Sequence, residues 1–119
     1  MSPKPQLFRV RRRDGIVQID LLAPVMIGDD TIDRMAEQVA KIIDAEKVPR
    51  IVMNFEDVRH ISSMMLGTLI SLFNRVKARG GQLRLAALRE RHRRLLVLVR
   101  LEGVFEVHPT PEEVAASFK

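Results

Sequence analysis

The sequence predicts an α/β fold: a mixed, mainly parallel sheet opened by an N-terminal β-hairpin, with helices mostly on one side. Three observations carry this. Period-two alternation flanks an Asp14-Gly15 pair, the short-range signature of a hairpin. Beyond it, short apolar strands alternate with amphipathic helical segments, an order that calls for parallel strands and right-handed crossovers. The hairpin strands keep their alternation, which favours one layer of helices over two.

The elements follow in order. Phe8-Arg9-Val10-Arg11 alternates as a half-buried strand does, and Ile16 to Leu22 is its partner. Arginines on the outer face protect an edge strand from pairing with other chains. Ala23 to Asp30 reads as a loop in which Asp29, Asp30 and Thr31 offer helix caps. Ile32, Met35, Val39, Ile42 and Ile43 then recur at helical spacing to about Glu46, before Pro49. Arg50 to Phe55 reads as a buried central strand. A helix from about Ser63 to Arg79 carries the apolar stripe Leu66, Leu69, Ile70, Phe73 and Val76, and Gly80-Gly81 ends it in a left-handed C-cap. Gln82 to Leu88 is a strand. Glu90 to Arg100 is a helix with Leu95, Leu96, Val99 and Leu98 as its inward candidates. Val104 to Val107 is a last strand, and Pro111 opens a final helix to Phe118 with Glu112-Glu113 in its first turn.

Composition bounds the function. The 119 residues suit a single domain, 1–119, able to bury a core without metals or disulfides. There is no cysteine, which removes disulfides, thiolate metal sites and a thiol nucleophile. The basic stretch Met1 to Asp14 lacks the apolar core of a signal peptide, and the apolar run Leu95 to Val99 is too short to span a bilayer. A cytoplasmic protein with no membrane association is expected. The net charge of +5, with arginines gathered at Arg9 to Arg13 and Arg89 to Arg94, suits an acidic partner. With no Trp or Tyr and five Phe in mostly core-like places, stacking platforms for single-stranded nucleic acid are missing.

A search for chemistry finds little. His60, His92 and His108 show no metal-ligand spacing. Gly80-Gly81 follows a helix rather than a strand, so it is no phosphate cradle. No histidine is placed to activate a serine, and Asp29-Asp30 reads better as helix capping than as a catalytic pair. The expectation is a protein without catalytic residues, metal or cofactor. One stretch remains: His60-Ile61-Ser62-Ser63-Met64-Met65-Leu66-Gly67 sets two serines where a strand stops and a helix starts. The positive end of a helix is a good place to carry a phosphate.

These residues resemble a known family. Ile51-Val52-Met53-Asn54-Phe55-Glu56-Asp57-Val58 is similar to the V-V-L-D-L-x-x-V strand of the STAS domain, the fold of bacterial anti-sigma factor antagonists and stressosome subunits. His60 to Gly67 resembles its phosphorylation loop, D-S-[ST]-G-L-G or I-S-S-A-G-L. Val76-Lys77-Ala78-Arg79-Gly80-Gly81-Gln82-Leu83 resembles K-x-x-G-G-x-L, and Leu101-Glu102-Gly103-Val104-Phe105-Glu106-Val107 resembles the closing L-x-x-x-F-x-I/V.

The resemblance implies a partner switch in bacterial signalling and transcription regulation. The unmodified domain would bind a serine kinase of the histidine-kinase-like ATPase fold that is itself an anti-sigma factor. Phosphorylation would end the binding, and a PP2C-type phosphatase would restore it. Aligning Met65-Leu66 with the family's Gly-Leu puts the phosphorylated residue at Ser63, with Ser62, in the place of the usual aspartate, as the alternative. Ser62, Ser63, Met64 and Met65 would meet the partner, with Asp29 or Asp30 standing in for the missing acid. The cations Arg91, Arg93 and Arg94 oppose the dipole of their own helix, which suits an acidic partner surface or a phosphate on a neighbouring chain; homodimer formation stays open. Two competing expectations are a STAS scaffold whose serines are never modified and a nucleic-acid-binding domain using its arginine faces.

Overall fold

The computed structural model describes residues 7–22, 25–26, 29–101 and 103–118. Strands β1 (Phe8–Arg13) and β2 (Ile16–Leu21) form the expected antiparallel hairpin, Phe8 opposite Leu21 and Arg13 opposite Ile16. Asp14 and Gly15 turn it with φ of 53° and 78°. Two successive left-handed residues are what a type I′ turn requires, because its twist matches that of the strands.

A two-residue strand, β3 (Val25–Met26), precedes helix α1 (Asp29–Ala45). Central strand β4 (Arg50–Asn54) runs to a loop, a short β5 (His60–Ile61) and helix α2 (Ser63–Ala78). Then come β6 (Gln82–Ala86), α3 (Glu90–Leu98), β7 (Glu106–His108) and α4 (Pro111–Ser117). The main sheet has the order β1-β2-β4-β6-β7, parallel from β2 onward, while β3 and β5 pair apart from it.

Alternation along the central strands sorts their side chains onto two faces. Val17, Ile19, Ile51, Met53, Leu83 and Leu85 meet α1 and α2 through Ile32, Met35, Val39, Ile43, Leu69 and Val76 in the larger core. Ile16, Val52 and Ala86 face the other way and are covered by Val114 of α4, with Phe118 against them. The helices thus lie mostly on one side, and α4 closes the second face over β4, β6 and β7. That second face is otherwise polar. On it Asp20 is buried and accepts from Arg11 Nε (2.8 Å), Gln18 Nε2 (2.8 Å) and Asn54 Nδ2 (2.9 Å). Burial pushes this carboxyl's pKa up, but those hydrogen bonds and the Arg11 charge outweigh it and hold the pKa below the ordinary value.

Helix ends correct several sequence expectations. α2 stops as expected: Gly80 is left-handed (φ 72°), Gly80 N–H bonds Lys77 O and Gly81 N–H bonds Val76 O, both at 3.0 Å. This is a Schellman motif. α3 ends the same way two residues earlier than the expected Arg100. Arg100 takes the left-handed position (φ 60°), its N–H bonds Val97 O at 3.0 Å, and Leu101 N–H bonds Leu96 O at 2.7 Å. Because the helix unwinds at Val99, that residue and Leu98 stay 45% and 76% exposed instead of turning inward. The buried α3 side chains are His92 and Leu96. β6 ends at Ala86, not Leu88, because Ala87 adopts φ 58°, and the last strand is shifted to Glu106–His108. α1 has already begun at Asp29, so Asp29, Asp30 and Thr31 form its first turn instead of capping it.

Gly81 marks a close approach. A Cβ there would stand 2.1 Å from the Pro49 carbonyl oxygen, which itself accepts from Gln82 N–H at 2.8 Å and anchors the start of β6 beside β4. Gly81→Ala must displace backbone, and we expect a loss of about 2–3 kcal/mol in urea unfolding. Gly67→Ala, with open space at its Cβ, serves as the control and is expected to stabilise α2 by about 0.5–1 kcal/mol.

Candidate functional site: the start of α2

The carboxyl end of β4 leads through residues 55–59 to β5 and α2. Asn54 fixes the start of this loop: its Oδ1 accepts from Glu56 N–H at 3.1 Å while its amide holds Asp20. β5 then pairs in parallel with β3, Val25 beside His60 and Met26 beside Ile61. This small ladder brings the chain entering α1 next to the chain entering α2. The two helices therefore start on the same edge, with Asp30 exposed in the first turn of α1. The side chain of Asp29 lies outside the described residues.

The two serines have different environments. Ser62 is the N-cap of α2, extended at φ −102° and ψ 167°, and its Oγ accepts from Met65 N–H at 3.3 Å. Ser63 is the first helical residue, exposed, with no side-chain hydrogen bond among the described residues. No acidic residue occupies the first turn of α2. The helix therefore offers an uncompensated positive end to any negative charge placed at Ser63.

The methionines divide as well. Met64 is 36% exposed beside Ser63, but Met65 is fully buried in the larger core. Expecting Met65 in a partner contact is thus corrected: helical geometry turns residue 65 toward Leu66 and Leu69, and it presents no surface. In the resembled motif D-S-[ST]-G-L-G, Met64 holds the second hydroxyl position, so Ser63 is the exposed hydroxyl left in the loop.

α3 grips the loop from the far side. Arg89 Nε donates to Val58 O at 3.1 Å, the Arg91 guanidinium donates to Arg59 O, and His92 Nε2 donates to the same Arg59 O at 3.1 Å. This accounts for cations at a helix N-terminus, where the dipole disfavours them. Arg89 and Arg91 are turned back onto the carbonyl oxygens of Val58 and Arg59. Arg94 pairs with Glu90 at 3.0 Å, and Arg93 has no ionic partner among the described residues. The sequence marked Arg91, Arg93 and Arg94 but not His92, which looks like a surface residue in an arginine run until the helix phase is known.

His92 is buried, with Nε2 bonded and Nδ1 unpaired. Burial pushes its pKa down; the Arg59 carbonyl opposes this, and the charges of Arg91, Arg89 and His60 add to the lowering. The bonded nitrogen carries the proton, so the neutral ring is the one that fits. A second proton would sit on Nδ1 with no acceptor.

The chain matches the STAS domain family model over residues 8–114. It belongs to the STAS family. An anti-sigma factor antagonist from Mycobacterium paratuberculosis superposes with a TM-score of 0.79 at 19% identity, covering 92% of this chain and 91% of that one. A STAS domain protein from Planctomyces limnophilus gives 0.81 at 14%, covering 94% and 98%. The unphosphorylated form of the anti-sigma factor antagonist SpoIIAA gives 0.78 at 18%, covering 93% and 95%. The Bacillus protein is also known in its phosphorylated form, with a TM-score of 0.73 at 18% and coverage of 94% and 99%. At these identities the likeness is one of fold. Among the described residues no group of His, Asp and Glu could hold a metal ion, and no helix is long and apolar enough to cross a membrane.

Two measurements check this description. Ser62→Ala removes the cap and is expected to cost about 1 kcal/mol in chemical unfolding, while Ser63→Ala costs close to nothing. His92 makes stability depend on pH. Its folded pKa lies below the unfolded value of about 6.5, so its contribution is fully present above that value. The contribution is lost as the pH falls through the folded pKa, because the unfolded chain takes the proton first. Unfolding midpoints from pH 8 to 5 should decline for the native protein. His92→Gln, which keeps a donor for Arg59 O, should flatten the decline.

Proposed function

We propose that this STAS domain is an anti-sigma factor antagonist-like partner-switching module, binding through the exposed start of α2 and switched off by phosphorylation at Ser63. The observation that supports this best is the division of labour between the serines. Ser62 is held in the cap, while Ser63 is exposed beside Met64 at a helix end with no acid of its own. The protein acts as ligand and as kinase substrate, not as an enzyme. Its partner is a serine kinase of the histidine-kinase-like ATPase fold, itself an anti-sigma factor, with a PP2C-type phosphatase resetting the switch in the cytoplasm.

The physics of the switch is a change of charge at an interface. A phosphate adds about −1.5 to −2 charges. Within the domain the helix end tolerates it, so the fold is kept. Pressed into a complementary surface, the same charge is desolvated or repelled. A loss of roughly 3 to 4 kcal/mol weakens binding by two to three decades. Met64 supplies a soft, polarizable contact next to the switch, and Asp30 on the shared edge supplies the acid that the first turn of α2 lacks.

A purely cationic nucleic-acid face has less support. Arg11 pairs with Asp20 at 2.8 Å, Arg12 with Glu46 at 3.6 Å, and Arg84 with Glu106 at 2.9 Å. Much of the arginine charge is already answered within the fold.

The test is incubation with the cognate kinase and ATP, read by intact mass and by partner affinity. The native protein and Ser62→Ala should each gain one phosphate, and Ser63→Ala none. Ser63→Glu should lower affinity for the kinase by about a hundredfold or more at unchanged thermal stability. A domain that binds the kinase but never gains phosphate would be an unswitched scaffold. A phosphate retained on Ser63→Ala would move the site.

A further inference from the structure

We infer that the corner formed by the C-terminal half of α3 and the chain entering β7 is a second docking surface, and that its occupant is an acidic amphipathic helix of another protein. The large apolar side chains exposed among the described residues are Val48, Met64 and four that fall between positions 97 and 104: Val97 (56%), Leu98 (76%), Val99 (45%) and Val104 (38%). Scattered exposed apolar residues are ordinary; four so close in the chain, with Val97 set between two grooves, point to an interaction site. Val97 lies about two turns along α3 from Arg89, and the larger groove runs back from it to Glu90 and Leu88, beside the turn that holds Val58 and Arg59.

Its shape selects a protein segment. Arg93 and Val97 form a ridge with a groove on each side. One groove, of about 520 Å3, is lined by Leu88, Glu90 and Arg94. The other, of about 260 Å3, has Leu96, Phe105 and Val107 along it toward the β7 edge of the sheet. Leu96 and Phe105 are 3% and 4% exposed, at the floor of that groove. A planar lipid surface reaches the ridge but not the floor. Side chains spaced three and four apart on a helix can reach both.

Its charge selects an acidic one. Arg93 and Arg94 line the grooves beside the apolar residues, and Glu90, the single acid in the lining, is paired with Arg94. Arg93 has no ionic partner among the described residues. A two-fold contact between copies of this chain would bring together two faces of the same net positive charge, which disfavours self-association here.

The probe is a synthetic helical peptide with Leu at i, i+3, i+4 and i+7 and Glu at the flanking positions, titrated into the 15N-labelled full chain. A peptide with Lys at every Glu position is the control. We expect saturable amide shifts concentrated in residues 93–107 and no binding of the Lys peptide. Arg93→Glu with Arg94→Glu should weaken binding by about tenfold or more, and added salt should weaken it further. Val97→Asp with Leu98→Asp should abolish it while the thermal midpoint is unchanged, both residues being exposed. Ser63→Glu should leave it intact, which keeps this test independent of the serine switch.

The proposal is overturned if neither peptide gives saturable shifts, or if both bind equally. It is also overturned if phosphatidylglycerol vesicles, in place of the peptide, give the shifts at residues 93–107. Concentration-dependent self-association abolished by Val97→Asp with Leu98→Asp would overturn it as well, in favour of a homodimer.

Discussion

The end of the domain where α2 starts depends on the carbonyl oxygens of Val58 and Arg59. They lie in the loop between the central strand and the small ladder that starts α2. Left unpaired, such groups would favour a looser, more solvated loop. One turn of α3 supplies donors from Arg89, Arg91 and His92 to both of them. The loop is thereby fixed to the body of the fold only a few residues before Ser62 and Ser63. The same contacts explain why three cationic or potentially cationic side chains crowd a helix N-terminus against the dipole.

The opposite side of the loop is held from the sheet. Asp20, Asn54 and Arg11 join β1, β2 and β4 on the polar face, and Asn54 passes that order on to Glu56 at the start of the loop. Parallel pairing of β3 with β5 then places the starts of α1 and α2 on one edge. Ser63 and the first turn of α1 thus share that edge. The site is a surface built from two helix starts.

α3 therefore serves two ends of the molecule. Its first turn is committed to the loop, and its last turn, closed by Arg100 in a left-handed conformation, leaves apolar residues in solvent. A helix of nine residues that packs chiefly through His92 and Leu96 is lightly held. Helices of that kind belong to the less stable part of a domain. Any ligand that covers the exposed end of α3 would also steady the loop that α3 grips, by adding contacts to the same short helix.

The sequence by itself determined the hairpin, the order of strands and helices, the stop at Gly80-Gly81 and the stripe of α2. Each is encoded locally, in turn residues and in periodicities of two or 3.6. It also located the two serines at a helix start. Only the tertiary structure decided which serine caps and which is free, because the two choices differ by one residue of helix phase. The same one-residue phase buried Met65 and exposed Met64. The β3–β5 ladder was invisible because two residues show no period. The inward role of His92, and the outward one of Leu98 and Val99, depended on where α3 unwinds and on which carbonyls lie across from it. Those are contacts between segments about thirty residues apart, and local patterning carries no record of them.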